Sequence, residues 1–325
     1  MKSNICLLLI ILITFSNISL IAQPVKKHGQ LAVKGKYLVD KNENPVMLTG
    51  VSYGWHNWWP RFYNEKSVEW LATDWGCNVV RAALGVGPDN SFLDRKKWSK
   101  EKIEAVVNGA VKNDIYVIID WHSHEFHQEE AEKFFAEMAQ KYGHHPHVIY
   151  EIFNEPVHDS WEKVKSYSVE VIKAIRKHDP DNIILVGNPH WDQDIHIVAD
   201  SPIEGFDNLM YTVHFYADTH GKELRDRCRY AIDKNIPIFI SESAGMSANG
   251  DGPINYDEWN NWINFMKENQ ISWITWSVAD KDETCSMLKK SASDTGNWKK
   301  EDLKESGIKT RELLREMAGL EEQHN

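Results

Sequence analysis

Short apolar runs recur along the chain at residues 46–53, 78–84, 115–121, 148–153, 183–187, 209–215, 236–241 and 271–277. Each has the length of a strand and is nearly continuous in apolarity, the pattern of a strand covered on both faces. Between them lie stretches of helical periodicity at 98–113, 127–142, 161–178 and 256–269, with a last one at 308–317. Asp257 is placed to cap the fourth of these helices, and His178, Asp179 and Pro180 stop the third. Eight strands alternating with helices predict an α/β fold with a parallel sheet, and the count fits a closed (β/α)8 TIM barrel. An open doubly wound sheet is the alternative, but it usually carries a Gly-rich phosphate turn after an early strand, and no such turn is present. Residues 30–46, with turn formers at Lys34-Gly35 and Asn42-Glu43-Asn44-Pro45, predict a small β-hairpin ahead of the barrel.

The run 148–153 stops at Asn154-Glu155-Pro156, and because proline cannot continue a parallel ladder the polar pair is delivered to a sheet edge. In a barrel, reactive side chains are expected just after the strands, on one face. Towards the ends of the runs stand Arg81 in the second, His122 and His124 after the third, Asn154 and Glu155 after the fourth, His214 and Tyr216 at the sixth, Glu242 after the seventh and Trp276 in the eighth. Singly, each of these has an ordinary structural explanation; jointly they place two carboxyls, a guanidinium, imidazoles and aromatic planes on one face. Two carboxyls from the fourth and seventh strands, able to face each other over the mouth, suit cleavage of a glycosidic bond by one acid and one attacking or water-activating carboxylate. Arg81 and Tyr216 are available to hold one of them anionic, while burial or like charge raises the other.

The competing chemistry is a metal site. His122, His124, His127, His144 and His145 form a His-rich neighbourhood, but no HExxH helix is present. No GxSxG turn supports a serine nucleophile.

Composition adds three points. The 14 tryptophans are about three times ordinary usage and suit stacking on sugar faces, although Trp70, Trp75, Trp262 and Trp273 lie in core-like patterns. A net charge of −11 argues against general affinity for nucleic acid or anionic membranes. Residues 5–21, uncharged and apolar after Lys2 and followed by Ala22-Gln23-Pro24, read as a cleaved export signal spanning 1–22, with a membrane anchor as the alternative. No linker breaks the remainder, so 23–325 is expected to be one domain, exported to the periplasm or beyond and monomeric. Cys77, Cys228 and Cys285 would remain after cleavage and lack zinc-site spacing, so reduced thiols are expected.

With these motifs in view the chain resembles glycoside hydrolase family 5, most closely its bacterial endo-β-1,4-glucanase branch. The likeness rests on the stretches 78–83, 117–122, 150–156, 213–217, 240–242 and 275–281. It implies Glu155 as general acid/base, Glu242 as nucleophile of a retaining double displacement, and Asn154 bonding the sugar 2-hydroxyl. It further implies Arg81 and Tyr216 supporting Glu242, His122 and His214 lining the reacting subsite, Trp276 as its floor, and no metal or organic cofactor. Trp58, Trp191, Lys281 and Glu283 would hold flanking glucose units of a β-glucan. The chain departs from the branch after the first strand, where Gly54, Trp55 and His56 stand in place of an expected His, leaving open whether His56, a candidate substrate-binding residue, takes its part, and at Gly85, where an aromatic is frequent. Endo-β-mannanase or another β-glucanase on the same barrel is an alternative, as is a carbohydrate-binding protein that has lost turnover.

Overall fold

The computed structural model describes residues 23–320, so the expected leader at 1–22 lies outside the described residues. A two-stranded antiparallel hairpin, β1 (Ala32–Lys34) and β2 (Tyr37–Val39), precedes eight parallel strands. These are β3 (Thr49–Tyr53), β4 (Val79–Gly85), β5 (Tyr116–His122), β6 (Val148–Glu151), β7 (Ile184–Val186), β8 (Leu209–Tyr216), β9 (Ile238–Ala244) and β10 (Trp273–Val278). Sequential neighbours pair around the ring and β10 closes on β3, giving the predicted barrel. All eight predicted runs become strands. The ends differ by a few residues, and Glu242 lies within β9 rather than beyond it.

Side chains alternate between the barrel interior and the surrounding helices. The inward set is apolar at the bottom, where Val79, Ile118, Ile149, Leu185, Met210, Phe239 and Ile274 form one cluster with Leu31, Leu38, Val46 and Leu48 of the hairpin region. The hairpin therefore plugs the end of the barrel away from the strand exits. Higher up the same strands the inward positions become charged: Arg81 stands two residues above Val79, Asp120 two above Ile118, and Glu151 two above Ile149. Close strand approach near the bottom requires Gly50, because a Cβ there would meet the Val79 carbonyl at 1.8 Å.

The outward set packs against amphipathic helices. Helix Trp161–Arg176 buries Trp161, Val164, Tyr167, Ser168, Val171, Ile172 and Ile175, one stripe of i, i+3, i+4 spacing. Trp75, Trp262 and Trp273 are fully buried, as expected of core residues. The helices Glu65–Trp70, Ile195–Asp200 and Lys222–Asp233 were not among the predicted ones. Lys222–Asp233 is so charged that its apolar stripe is reduced to Leu224, Cys228, Ala231 and Ile232. Cys77, Cys228 and Cys285 are buried free thiols.

One predicted cap is displaced. The helix Tyr256–Asn269 is capped by Asn255, whose side chain accepts from the Glu258 amide, while Asp257 sits exposed in the first turn. Asn255→Ala should lower stability by about 1 kcal/mol and Asp257→Ala by less, measured by urea unfolding; the reverse order would place the cap at Asp257.

Candidate active site

Arg81, on β4, is fully buried and organises the strand exits. Its Nε donates to Glu151 Oε2 at 2.6 Å, Nη2 to Asn154 Oδ1 at 2.6 Å, and Nη1 to Glu242 Oε2 at 3.0 Å. Asp120 Oδ2 also lies 3.0 Å from Nη2. One guanidinium thus gathers groups from β4, β5, β9 and both β6 and its exit, a role its planar fork of five donors suits. Against the cost of burial, the charge of Arg81, with its hydrogen bond and the nearby His214, holds the Glu151 carboxyl down to about 2. Burial, with Glu151 and Glu242 adding to it, pushes Asp120 well up despite the opposing pull of Arg81.

A change of register between Thr212 and His214 against β9 inserts one extra residue into β9. Such a bulge re-aims side chains. Consecutive Ser241 and Glu242 both reach interior partners: Ser241 Oγ meets His214 Nε2 at 2.9 Å, and Glu242 Oε1 accepts from the Tyr216 hydroxyl at 2.7 Å. Both oxygens of Glu242 are therefore engaged, by Arg81 and Tyr216.

Glu155 is held differently. Its Oε1 pairs with His214 Nδ1 at 2.8 Å, while Oε2 faces only the half-exposed His124, at 3.6 Å. One carboxylate oxygen of Glu155 and one of Glu242 lie within 4.8 Å of each other. Burial raises the Glu155 carboxyl, but the hydrogen bond and charge of His214 outweigh it and leave Glu155 below the ordinary range. Burial and the charge of Glu155 raise Glu242 despite His214, Arg81 and Tyr216. Arg81 and Tyr216 attend Glu242 as expected, yet in the open cleft it is Glu242 that is raised and Glu155 that is lowered.

His122 donates or accepts at Asp120 Oδ2 at 2.7 Å, is kept neutral by burial and the nearby Arg81, and stacks on Trp276 with centroids 5.0 Å apart and planes 6° from parallel. Trp276, Trp58, Lys281 and Glu283 line the cleft above the two carboxyls, and Lys281 and Glu283 form an ion pair. Trp58 is 53% exposed at the rim.

Two expected binding residues stand elsewhere. His56 is buried beneath the surface, accepting the Gly85 amide on Nδ1 at 3.0 Å and lying 5.4 Å from Trp98, and burial pushes its pKa down to about 3. It does not line the cleft, so it does not replace the displaced family His. Trp55 takes the mouth position instead, edge-on to His122 at 4.3 Å and 4.8 Å from Trp58. A Cβ on Gly85 would meet the Trp55 ring at 2.7 Å, so the two departures from the family pattern are one exchange: Gly85 makes room for Trp55. Trp191 is exposed on the turn after β7, beside His158 and His190, outside the residues lining the cleft.

The His-rich neighbourhood divides. His144 and His145 pack at a tilt, centroids 4.1 Å apart, in the loop entering β6, at the opposite end of the barrel from Glu155. Among the described residues one group of metal-ligand type comes together, Glu155, His214 and Glu242, and each is already bonded within the protein. Sequence reasoning missed Asp120, Glu151, Ser241, Asp192 and Trp55 as members of the site. For Asp120 and Glu151 a signal existed, namely charged residues inside otherwise apolar strands.

A family model for cellulase (glycosyl hydrolase family 5) matches residues 39–282. The chain belongs to glycosyl hydrolase family 5. Its family 5 relatives include an endoglucanase of Clostridium saccharobutylicum, 42% identical over 287 residues, covering 86% of this chain and 64% of that one. Endoglucanase 5 of Pectobacterium carotovorum subsp. carotovorum is 39% identical over 315 residues, 95% of this chain and 61% of the relative. The chain thus spans less than two thirds of the length of these relatives. Among solved structures, a Cytophaga hutchinsonii protein superposes with a TM-score of 0.89 at 43% identity, covering 91% of this chain and 97% of that one. The catalytic domain of a Thermobifida fusca endoglucanase, solved with cellotetraose, superposes with a TM-score of 0.85 at 29% identity, covering 90% and 99%.

Removing Arg81 leaves buried carboxylates unpaired, so Arg81→Leu should cost about 3–5 kcal/mol at neutral pH. Because Glu151 is depressed in the folded state, its share of the stabilisation is complete above the ordinary carboxyl pKa and is lost as pH falls towards about 2. The stability gap between wild type and variant, read from urea unfolding between pH 7 and pH 3, should narrow on the acid side; a constant gap would refute the ion-pair account.

Proposed function

We propose that this chain is a retaining endo-β-1,4-glucanase in which Glu242 attacks the anomeric carbon and Glu155 supplies and then withdraws the proton. The observation that carries the reading is the carboxyl pair itself: oxygens within 4.8 Å suit direct attack, whereas an inverting pair stands about 6.5–9.5 Å apart to admit a water. The relatives named endoglucanase and the neighbour bound to cellotetraose support the substrate class.

Contacts within the site support the roles. Glu242 has one donor on each oxygen, which aims the carboxylate and stabilises it when it leaves the glycosyl-enzyme. Glu155 keeps Oε2 free of close bonds, open to a leaving-group oxygen, while its partner His214 sets Nδ1, with the proton it carries, 2.8 Å from Oε1. Asn154 spends its carbonyl on Arg81, leaving Nδ2 a buried donor without a partner; a sugar 2-hydroxyl would satisfy it. The stacked His122 and Trp276 form a flat wall for the reacting ring, and Trp55, Trp58, Lys281 and Glu283 extend the cleft for neighbouring units. Trp191 would then serve only a chain that continues past the cleft. The lowered Glu155 and raised Glu242 belong to the open cleft, where the two titrate as one unit with His214. Once Glu242 ionises, its charge acts back on Glu155 and favours transfer of the His214 proton to it.

The proposal includes export, with 1–22 as the removed leader and 23–325 as a monomeric catalytic domain; the apolar stretch 5–21 after Lys2 supports it.

Carboxymethylcellulose should release reducing ends with a rapid fall in viscosity, and Glu242→Gln should abolish this while cello-oligosaccharides still bind. Cleavage of mannan alone would overturn the glucanase reading, and sugar binding with no product would point to a binding protein. Glu155→Gln should lose polymer cleavage by about 10²–10⁴-fold and slow both steps, yet retain much of its kcat/KM on aryl glycosides, whose good leaving groups need no acid in the first step. Since the charge of Glu155 raises Glu242, the acid limb of that residual activity should move to lower pH. An unchanged acid limb would show that the two carboxyls do not interact.

A further inference from the structure

After β7 the backbone makes an unusual turn. His190, Trp191 and Asp192 are three consecutive non-glycine residues in the left-handed region, with φ of 58°, 53° and 59°. Such residues visit this region singly, so a run of three indicates that the surroundings demand it. The turn sends Trp191 outward and Asp192 inward, where Asp192 is fully buried. Asp192 Oδ1 accepts the Asn188 amide at 2.6 Å, and Oδ2 accepts the Thr212 hydroxyl at 2.6 Å. Oδ2 also lies 3.4 Å from His214 Nε2. Among the described residues no Lys or Arg pairs with Asp192, so the imidazole is the only cation that can offset its burial.

His214 is the ring whose Nδ1 meets Glu155. The other groups facing it are Glu151 from β6, with Oε1 at 3.7 Å, and Ser241 from β9, with Oγ at 2.9 Å; Arg81, Asp120, His122, Glu242 and His220 lie in the surrounding shell.

We propose that Asp192 is a positioning residue that keeps His214 protonated and its Nδ1–H aimed at Glu155, and so sets the pH at which the His214–Glu155 pair surrenders its proton. The inference rests on Glu155 as the general acid. A hydrogen-bonding role alone would not need a carboxylate, since a neutral side chain could accept from the Asn188 amide. Burial by itself would lower His214, but Asp192 leads the charges that hold it well above the ordinary histidine range. Burial likewise raises Asp192 well above the ordinary carboxyl range, with the His214 charge and the two hydrogen bonds opposing it, so that each of the pair depends on the other.

The test compares Asp192→Asn, which preserves shape, with Asp192→Ser, which does not. Two readouts are used: the pH dependence of kcat/KM on a cello-oligosaccharide, and titration of the His214 ring nitrogens by NMR. Both variants should lower the alkaline limb and the His214 pKa by about one pH unit or more, with KM little changed. An unmoved limb and an unmoved His214 in both variants, or a change in Asp192→Ser alone, would overturn the proposal. If His214 shifts as expected but the wild type cleaves no glucan, the Asp192–His214 coupling stands and the assignment of Glu155 falls.

Discussion

The guanidinium of Arg81 is the constraint on which the site depends. It is a permanent cation, wholly buried, and it contacts Glu151, Asp120, Glu242 and Asn154 at once. An isolated charge at that depth would be very costly, and so would each of the carboxylates. Together they are tolerated because every arm of the guanidinium has a partner, and the geometry that satisfies them also fixes the positions of Glu242 and Asn154. Losing one member does not leave a smaller network; it leaves an uncompensated charge.

The scaffold makes this cluster possible by a change of character along β4, β5 and β6. Inward positions are apolar at the bottom, where the hairpin seals the barrel, and ionisable one step higher. The apolar layer keeps water from reaching the charges from below, so they interact with one another at low effective dielectric and are open to solvent only at the mouth. Regular alternation would still not suffice for β9, where Ser241 and Glu242 are adjacent and both needed inside. The extra residue in that strand solves the problem locally, supplying His214 and Tyr216 with partners from consecutive positions.

How much of this was legible follows from where the information lies. Strands buried on both faces leave an apolar run that no loop imitates, so all eight were visible, and with them the face on which Glu155 and Glu242 emerge. Asp120 and Glu151 were passed over because attention to strand ends hides charges within strands, although a charge inside an apolar run must have a buried partner. The loops were read less well. His56 looked like a substitute for a missing His, yet the backbone turns it under the surface to accept the Gly85 amide, while its neighbour Trp55 takes the mouth. That exchange depends on a contact between residues 30 positions apart, which spacing alone does not reveal. The setting of Trp191 was hidden for a similar reason: a left-handed turn decides which of two adjacent side chains faces the interior.

Charge balance links the architecture to the proposed reaction. Five carboxyls, Asp120, Glu151, Glu155, Asp192 and Glu242, meet two cations, Arg81 and the protonated His214. The excess means that the cluster retains protons above the ordinary carboxyl range, as the raised Asp120, Asp192 and Glu242 indicate. The retained protons offset part of that excess and leave the remainder as negative charge. A glycosyl centre becomes positive as its bond breaks, so a surplus of buried negative charge favours the transition state over the neutral ground state. Arg81 limits that surplus to what the fold can hold, and the pair His214 and Asp192 keeps a proton within one hydrogen bond of Glu155, whose Oε2 has no close bond and which lines the cleft.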